Sequence, residues 1–139
     1  VEDEIENKIS LTIPGEPKGK QRAKWSPVGT YSPKATVNYE TYIKQLFAIK
    51  YPAFIPIESA LTAELWAGLI IPKSASKKKI GMMKLGILKP TRRPDVDNIL
   101  KLALDALEKL AYKNDSQICR VVIDKDYSER PRLEITISW

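Results

Sequence analysis

Hydrophobic and polar residues alternate strictly near the start of the chain, where Ile9, Leu11 and Ile13 fall at every second position of Lys8–Ile13 before Pro14-Gly15. A period of two predicts a strand with one buried face, and Pro-Gly predicts the turn that ends it. Residues Gly15–Lys34 carry three prolines and three glycines among cations, and read as a loop. From Thr36 the apolar positions Val37, Tyr39, Tyr42, Ile43, Leu46 and Phe47 take helical spacing until Pro52 stops the pattern. Alternation returns over Leu61–Ile71 and ends at Pro72, which predicts a second strand. The clearest signal is Asp97–Leu110, where Ile99, Leu100, Leu102, Ala103, Leu104, Ala106, Leu107 and Leu110 share one helical arc. Asp97, Lys101, Asp105 and Glu108 share the opposite face. Two strands follow, over Gln117–Asp124 and Leu133–Trp139. The order strand, helix, strand, basic connection, helix, strand, strand predicts one α+β domain with a mixed sheet and helices packed on it.

Composition narrows the chemistry. A chain of 139 residues with 43% hydrophobic residues suits a single folded domain, and no apolar run approaches the length of a membrane span. The acidic start, Glu2, Asp3, Glu4 and Glu6, is opposite in charge to a secretory signal, so a cytoplasmic location is expected, with residues 1–6 as a frayed tail. There is no histidine, and Cys119 is the single cysteine. Those two facts exclude Ser-His-Asp and Cys-His nucleophile systems, imidazole-ligated zinc hydrolases and thiolate cages. Cys119 itself, inside an expected strand, is expected to be a small buried hydrophobe. Any hydrolysis must lean on Asp, Glu, Lys or Tyr, and carboxylates without nitrogen or sulfur partners favour a hard cation such as Mg2+.

Charge points to a partner. The net charge is +6, and its distribution is uneven: eight cations and no acid lie between Lys73 and Arg93, and five cations and no acid between Pro17 and Lys34. Dense lysines are often a solvated face, so the sequence leaves open whether Ser74–Leu85 is a short helix or a mobile loop. Beside these segments lies Arg92-Arg93-Pro94-Asp95-Val96-Asp97-Asn98. Pro94 keeps the entry to the helix extended, so Asp95 and Asp97, two apart, can aim at one point. Two carboxylates held close repel unless a cation neutralises them. The plainer explanation is that one of the pair caps the helix while the other is solvated. Asp115, just before an expected strand, could supply a third ligand or simply make a turn. Lys101, one turn beyond Asp97, could bind a phosphate or form a surface ion pair. Gly15-Glu-Pro-Lys-Gly19-Lys20-Gln21 is one residue too short for a phosphate-binding loop and lacks its Ser or Thr, which excludes a nucleotide cofactor of that kind. Trp25 and Tyr31, among Arg22, Lys24 and Lys34, could stack on bases or pack on the protein rim.

The ordered set Ile13-Pro-Gly-Glu-Pro-Lys-Gly-Lys-Gln-Arg22, Tyr31-Ser-Pro-Lys34, Tyr39-Glu40, Arg93-Pro-Asp-Val-Asp-Asn-Ile-Leu-Lys101, Leu104-Asp-Ala-Leu107 and Asn114-Asp-Ser-Gln-Ile118 resembles the RusA family of Holliday junction resolvases, often carried by phages and prophages. The resemblance implies a Mg2+-dependent endonuclease, with Mn2+ as a substitute, in which Asp95, Asp97 and Asp115 are the metal-binding catalytic acids and Lys101 stands beside them. It matches Asp105 to a family acidic position of less clear role. It also implies a homodimer that acts on branched DNA, four-way junctions above all. Lys18, Lys20, Arg22, Lys24, Lys34, Lys77, Lys78, Lys79, Arg92 and Arg93 would grip phosphates. The alternatives are a flap or branch nuclease of broader selectivity, or a catalytically silent binder of branched DNA. Two departures bear on selectivity: Pro94 replaces a basic residue of the best-known member, and the Asp105–Asp115 segment is one residue shorter.

Overall fold

The computed structural model describes residues 7–139, so the expected frayed tail at 1–6 lies outside the described residues. Strand β1 (Lys8–Pro14) buries Ile9, Leu11 and Ile13 while its intervening residues face solvent. It pairs antiparallel with β6 (Arg132–Ser138), which in turn pairs antiparallel with β4 (Leu61–Ile70). On its other side β4 runs parallel to β5 (Ile118–Ser128), giving a mixed four-stranded sheet in the order β1-β6-β4-β5. A parallel neighbour requires a crossover connection. The long segment between β4 and β5 supplies it, and carries helices α2 (Lys77–Lys84) and α3 (Val96–Leu107).

The core forms where α1 (Lys34–Lys50) and α3 cover the inner face of the sheet. Tyr39, Ile43 and Phe47 of α1 and Ile99, Leu102, Ala103, Ala106 and Leu107 of α3 meet the buried residues of β1, β4 and β6. Burying each of the large aliphatic and phenylalanine side chains among them contributes roughly 1.5–3 kcal/mol, which is why the helical and alternating patterns are so regular here. The expected α+β domain with a mixed sheet is therefore the observed one.

Several boundaries differ from expectation for local reasons. The helix expected to run to Leu110 ends at Leu107: Glu108 leaves helical geometry at ψ 135°, and Lys109 takes φ +70°, so the chain reverses. The basic segment left open at 74–85 contains a true helix, α2, whose first turn is capped by Ser76 Oγ accepting from Lys79 N at 3.3 Å. Strand β5 runs on to Ser128 rather than stopping at Asp124, and Gln117 belongs to a 3-10 turn before it. The loop Gly15–Lys34 contains a small hairpin, β2 (Lys24–Ser26) with β3 (Gly29–Tyr31). Cys119 is exposed, not buried, because β5 is an edge strand and Cys119 falls at an irregularity in its pairing, between Ile118 opposite Leu61 and Arg120 opposite Thr62. Among the described residues no helix is long and apolar enough to cross a membrane.

Candidate metal and nucleic-acid site

Helix α3 presents the candidate residues on the face its apolar stripe leaves free. Asp95 is the residue that precedes its first turn, with extended backbone (φ −73°, ψ 147°), and its side chain makes no capping hydrogen bond. The carboxylate is thus not spent on the helix end, which removes the plainest explanation of the Asp95–Asp97 pair. Asp97 lies in the first turn, with Lys101 four residues on, Asp105 four beyond that, and Glu108 at the C-terminal cap. Asp95, Asp97 and Lys101 are exposed. Among the described residues none of the three forms an ion pair, so Lys101 is not neutralised by its helical neighbours.

Asp115 sits at the other end of the same helix. It opens the 3-10 turn Asp115–Gln117, but the turn is held by its neighbours: Asn114 Oδ1 accepts from Ser116 N at 2.9 Å and Gln117 Oε1 accepts from Asn114 N at 2.7 Å. Gln117 Nε2 anchors the turn by donating to Ile57 O and Ser59 O at 2.8 and 3.0 Å. The Asp115 side chain is therefore not spent on the turn. Its carboxylate meets those of Asp105 and Glu108, one oxygen from each lying within 4.8 Å of the others. The buried Tyr112 beneath them, whose hydroxyl donates to Leu104 O, registers this convergence. Burial pushes its phenol up, and the negative charges of Glu108, Asp105 and Asp115 push it further.

The chain thus gathers Asp115 with Asp105 and Glu108. Along the helix axis Asp97 and Asp105 are about 12 Å apart. Among the described residues no trio of carboxylates containing Asp95 or Asp97 is gathered as closely as Asp105, Glu108 and Asp115. Glu108 was assigned no role from sequence. Its place on the polar face with Asp97, Lys101 and Asp105 was the available signal, and the chain reversal at Lys109 is what turns that face toward Asp115. Every donor in both groups is a hard carboxylate oxygen, the set that suits Mg2+.

The cations line a cleft at the N-terminal end of α3. The basic segment Pro17–Lys24, the start of α1 and the residues entering α3 enclose about 860 Å³, and among the described residues Asp95 is the one acid in its wall. Lys20 N donates to Asn98 O at 2.8 Å and Gln21 N to Thr36 Oγ1 at 3.1 Å, which straps the segment down. Gly19 is required there, since a Cβ would lie 2.9 Å from Asn98 Cβ and 3.0 Å from Pro94 Cβ. Lys18, Arg22, Lys24, Lys34 and Arg93 are exposed around this opening, and Lys77, Lys78 and Lys79 are exposed on α2. Two of the expected phosphate contacts are engaged internally. Lys20 pairs with Asp105 and, at 3.6 Å, with Glu40; the hydrogen bond it donates to Asp105 holds its ammonium above the ordinary lysine value, against partial burial. Arg92 pairs with Glu16 at 2.6 Å. Lys125, missed by sequence reasoning, donates to Arg92 O at 2.8 Å and Pro94 O at 3.1 Å, and so fixes the strand of chain that delivers Asp95.

A family model described as Endodeoxyribonuclease RusA matches residues 14–138. The chain belongs to the RusA endodeoxyribonuclease family. The match takes in α3, Asp115 and both basic segments, so the polar face of the helix and the cleft beside it are parts of a RusA deoxyribonuclease domain. A relative described as "Uncharacterized protein YqaN", from Bacillus subtilis (strain 168), is 35% identical over 135 residues, which is 93% of this chain and 94% of the relative.

Proposed function

We propose that this RusA-family chain is a Mg2+-dependent endonuclease that resolves four-way DNA junctions by phosphodiester hydrolysis, as a homodimer. One observation carries the reading: Asp95, uncommitted to capping, is set in the wall of a cleft that it shares with Lys18, Lys20, Arg22, Lys24 and Arg93, and it stands at the start of the helix that bears Asp97 and Lys101. Arg22, Lys24 and Arg93 would seat backbone phosphates, leaving a phosphodiester beside the carboxylates. Lys101, unpaired among the described residues, would bind the scissile phosphate and stabilise the charge that develops on it. Asp95, Asp97 and Asp115 would hold the metal, which supplies an activated water and charge neutralisation at the phosphate.

The separation of Asp115 from the Asp95–Asp97 pair fits a site completed between two copies. A two-fold axis crossing α3 near its middle would set the Asp115 end of one helix beside the Asp95–Asp97 end of its partner. Val96 at the start of α3 and Val121 on the edge strand β5 are 39% and 40% exposed, apolar side chains that such a contact would cover. Mixing inactive Asp97→Asn and Asp115→Asn proteins tests this, because a shared site leaves one intact centre per mixed dimer and restores nicking. If each chain holds its own complete site, the mixture stays inactive. The close trio favours a second metal set, Asp105, Glu108 and Asp115. Loss of cleavage in Glu108→Gln with full activity in Asp97→Asn would favour it. For the substrate, cleavage rates on a four-way junction, a flap and plain duplex in Mg2+ are compared. The proposal expects the junction to be preferred, and equal cutting of all three would make the protein a nuclease of broader selectivity.

A further inference from the structure

Three large apolar side chains are held in water on the small hairpin that rises from the cleft wall. Trp25 is 78% exposed, Val28 99% and Tyr31 53%. Lys24 lies opposite Tyr31, Trp25 opposite Thr30 and Ser26 opposite Gly29, so Pro27 and Val28 form a two-residue tip. Gly29 takes φ +128°, a conformation that favours glycine, and Ser26 Oγ donates to Gly29 O at 2.7 Å to close the turn. The hairpin is a two-stranded sheet of its own. Among the described residues neither Trp25 nor Tyr31 stacks on another aromatic ring. An isolated pair of strands is marginal by itself, and exposed rings add none of the burial that would stabilise it. These side chains therefore do not serve the core.

Their setting identifies what they fit. Arg22 and Lys24 at the root of the hairpin line the same cleft as Asp95, and Lys34 begins α1 on the other side. With no acid between Pro17 and Lys34, the root is complementary to a polyanion. From Lys24 to the Pro27–Val28 tip the hairpin reaches roughly 10 Å beyond that root. Cations that follow a backbone, combined with rings and an apolar tip that reach past it, are the chemistry that binds unpaired or unstacked bases. In continuous duplex such a tip must first separate stacked bases; at a branch point stacking is already interrupted.

We propose that the β2–β3 hairpin is the branch-recognition element, with Trp25 stacking on, and Val28 wedging beside, the bases at the branch point of DNA whose backbone lies in the adjacent cleft. The proposal rests on the reading of the chain as an endonuclease of branched DNA. Its test measures binding by fluorescence anisotropy, with Ca2+ in place of Mg2+, of the full chain to a four-way junction and to duplex of the same composition. Trp25→Ala is expected to weaken junction binding about five- to hundredfold, with duplex binding unchanged and Trp25→Phe restoring most of the loss. Val28→Ser should reduce the junction-to-duplex ratio in the same direction. If Trp25→Ala and Val28→Ser leave that ratio at its wild-type value, the hairpin does not read the branch, while the endonuclease reading stands. If the wild-type chain binds neither DNA, both fail together. Loss of a dimer in Trp25→Ala by sedimentation, with the ratio unchanged, would assign the hairpin to a second copy of the chain and overturn the proposal.

Discussion

Replacing Gly19 by alanine probes the strap that joins the basic segment to helix α3. The added Cβ would lie 2.9 Å from Asn98 Cβ and 3.0 Å from Pro94 Cβ, both carbons fixed directly to backbone. Relaxed carbon contacts are about 3.5–4.0 Å, so the segment must withdraw by roughly half to one ångström. The Lys20 N to Asn98 O bond, 2.8 Å in the wild type, then passes beyond hydrogen-bonding range. Overpacking costs about 1–3 kcal/mol and the lost hydrogen bond about 0.5–1.5 kcal/mol. Against these, alanine restricts the unfolded chain by about 0.4–1 kcal/mol. The net expectation is a loss of about 1–3 kcal/mol, read as a lower urea midpoint at unchanged slope, together with weaker junction binding in Ca2+. A variant at least as stable as wild type, binding junctions equally well, would refute the claim that this close approach organises the cleft.

Other consequences follow from single contacts. Lys125→Met removes both hydrogen bonds to the chain that delivers Asp95, so the cleavage rate should fall on the order of ten- to hundredfold while junction binding holds. An unchanged rate would deny Lys125 a positioning role. Junction binding in Ca2+ should weaken on the order of a thousandfold between about 50 and 200 mM salt if six or more phosphates are neutralised; a flat response would remove the exposed lysines and arginines from the interface. Asp126 is held below the ordinary aspartate value: burial pushes it up, but the Lys89 ammonium and the Trp66 N–H, which donates at 2.7 Å, more than offset that. Its charged form is thus favoured by folding, and its stabilisation is present above the unfolded pKa near 4 and lost as pH falls through the lower folded value. Asp126→Asn should accordingly be less stable than wild type at neutral pH, with the difference shrinking in acid; a gap that persists at low pH would contradict this.

How much could be read from the residues depends on how one-sided each element is. β1, β4 and β6 each bury a complete face, so the alternation of Ile9, Leu11 and Ile13 or of Leu61, Ala63 and Leu65 announces them. α3 was equally plain, because its apolar stripe is broad and continuous. β5 was truncated in expectation because it is an edge strand with no fully buried residue, and charges at Asp124, Lys125 and Asp126 break its pattern. The hairpin was hidden because its strands are three residues each and bury nothing in the core. At the site, Asp97 and Lys101 lie one turn apart on α3, as their spacing of four requires. The grouping of Asp115 with Asp105 and Glu108 did not follow from spacing, since it depends on Lys109 adopting a positive φ without a glycine to signal it. The service of Lys125 to Arg92 and Pro94 likewise arises only from the register of β5 against β4.

The most direct trial of the whole account is the rate at which Asp97→Asn cuts a four-way junction in Mg2+, with binding measured on the same preparation. The wild-type chain should cleave and the variant should bind as tightly but leave the DNA intact. A variant that cuts at the wild-type rate would contradict the assignment of metal chemistry to the acidic start of α3.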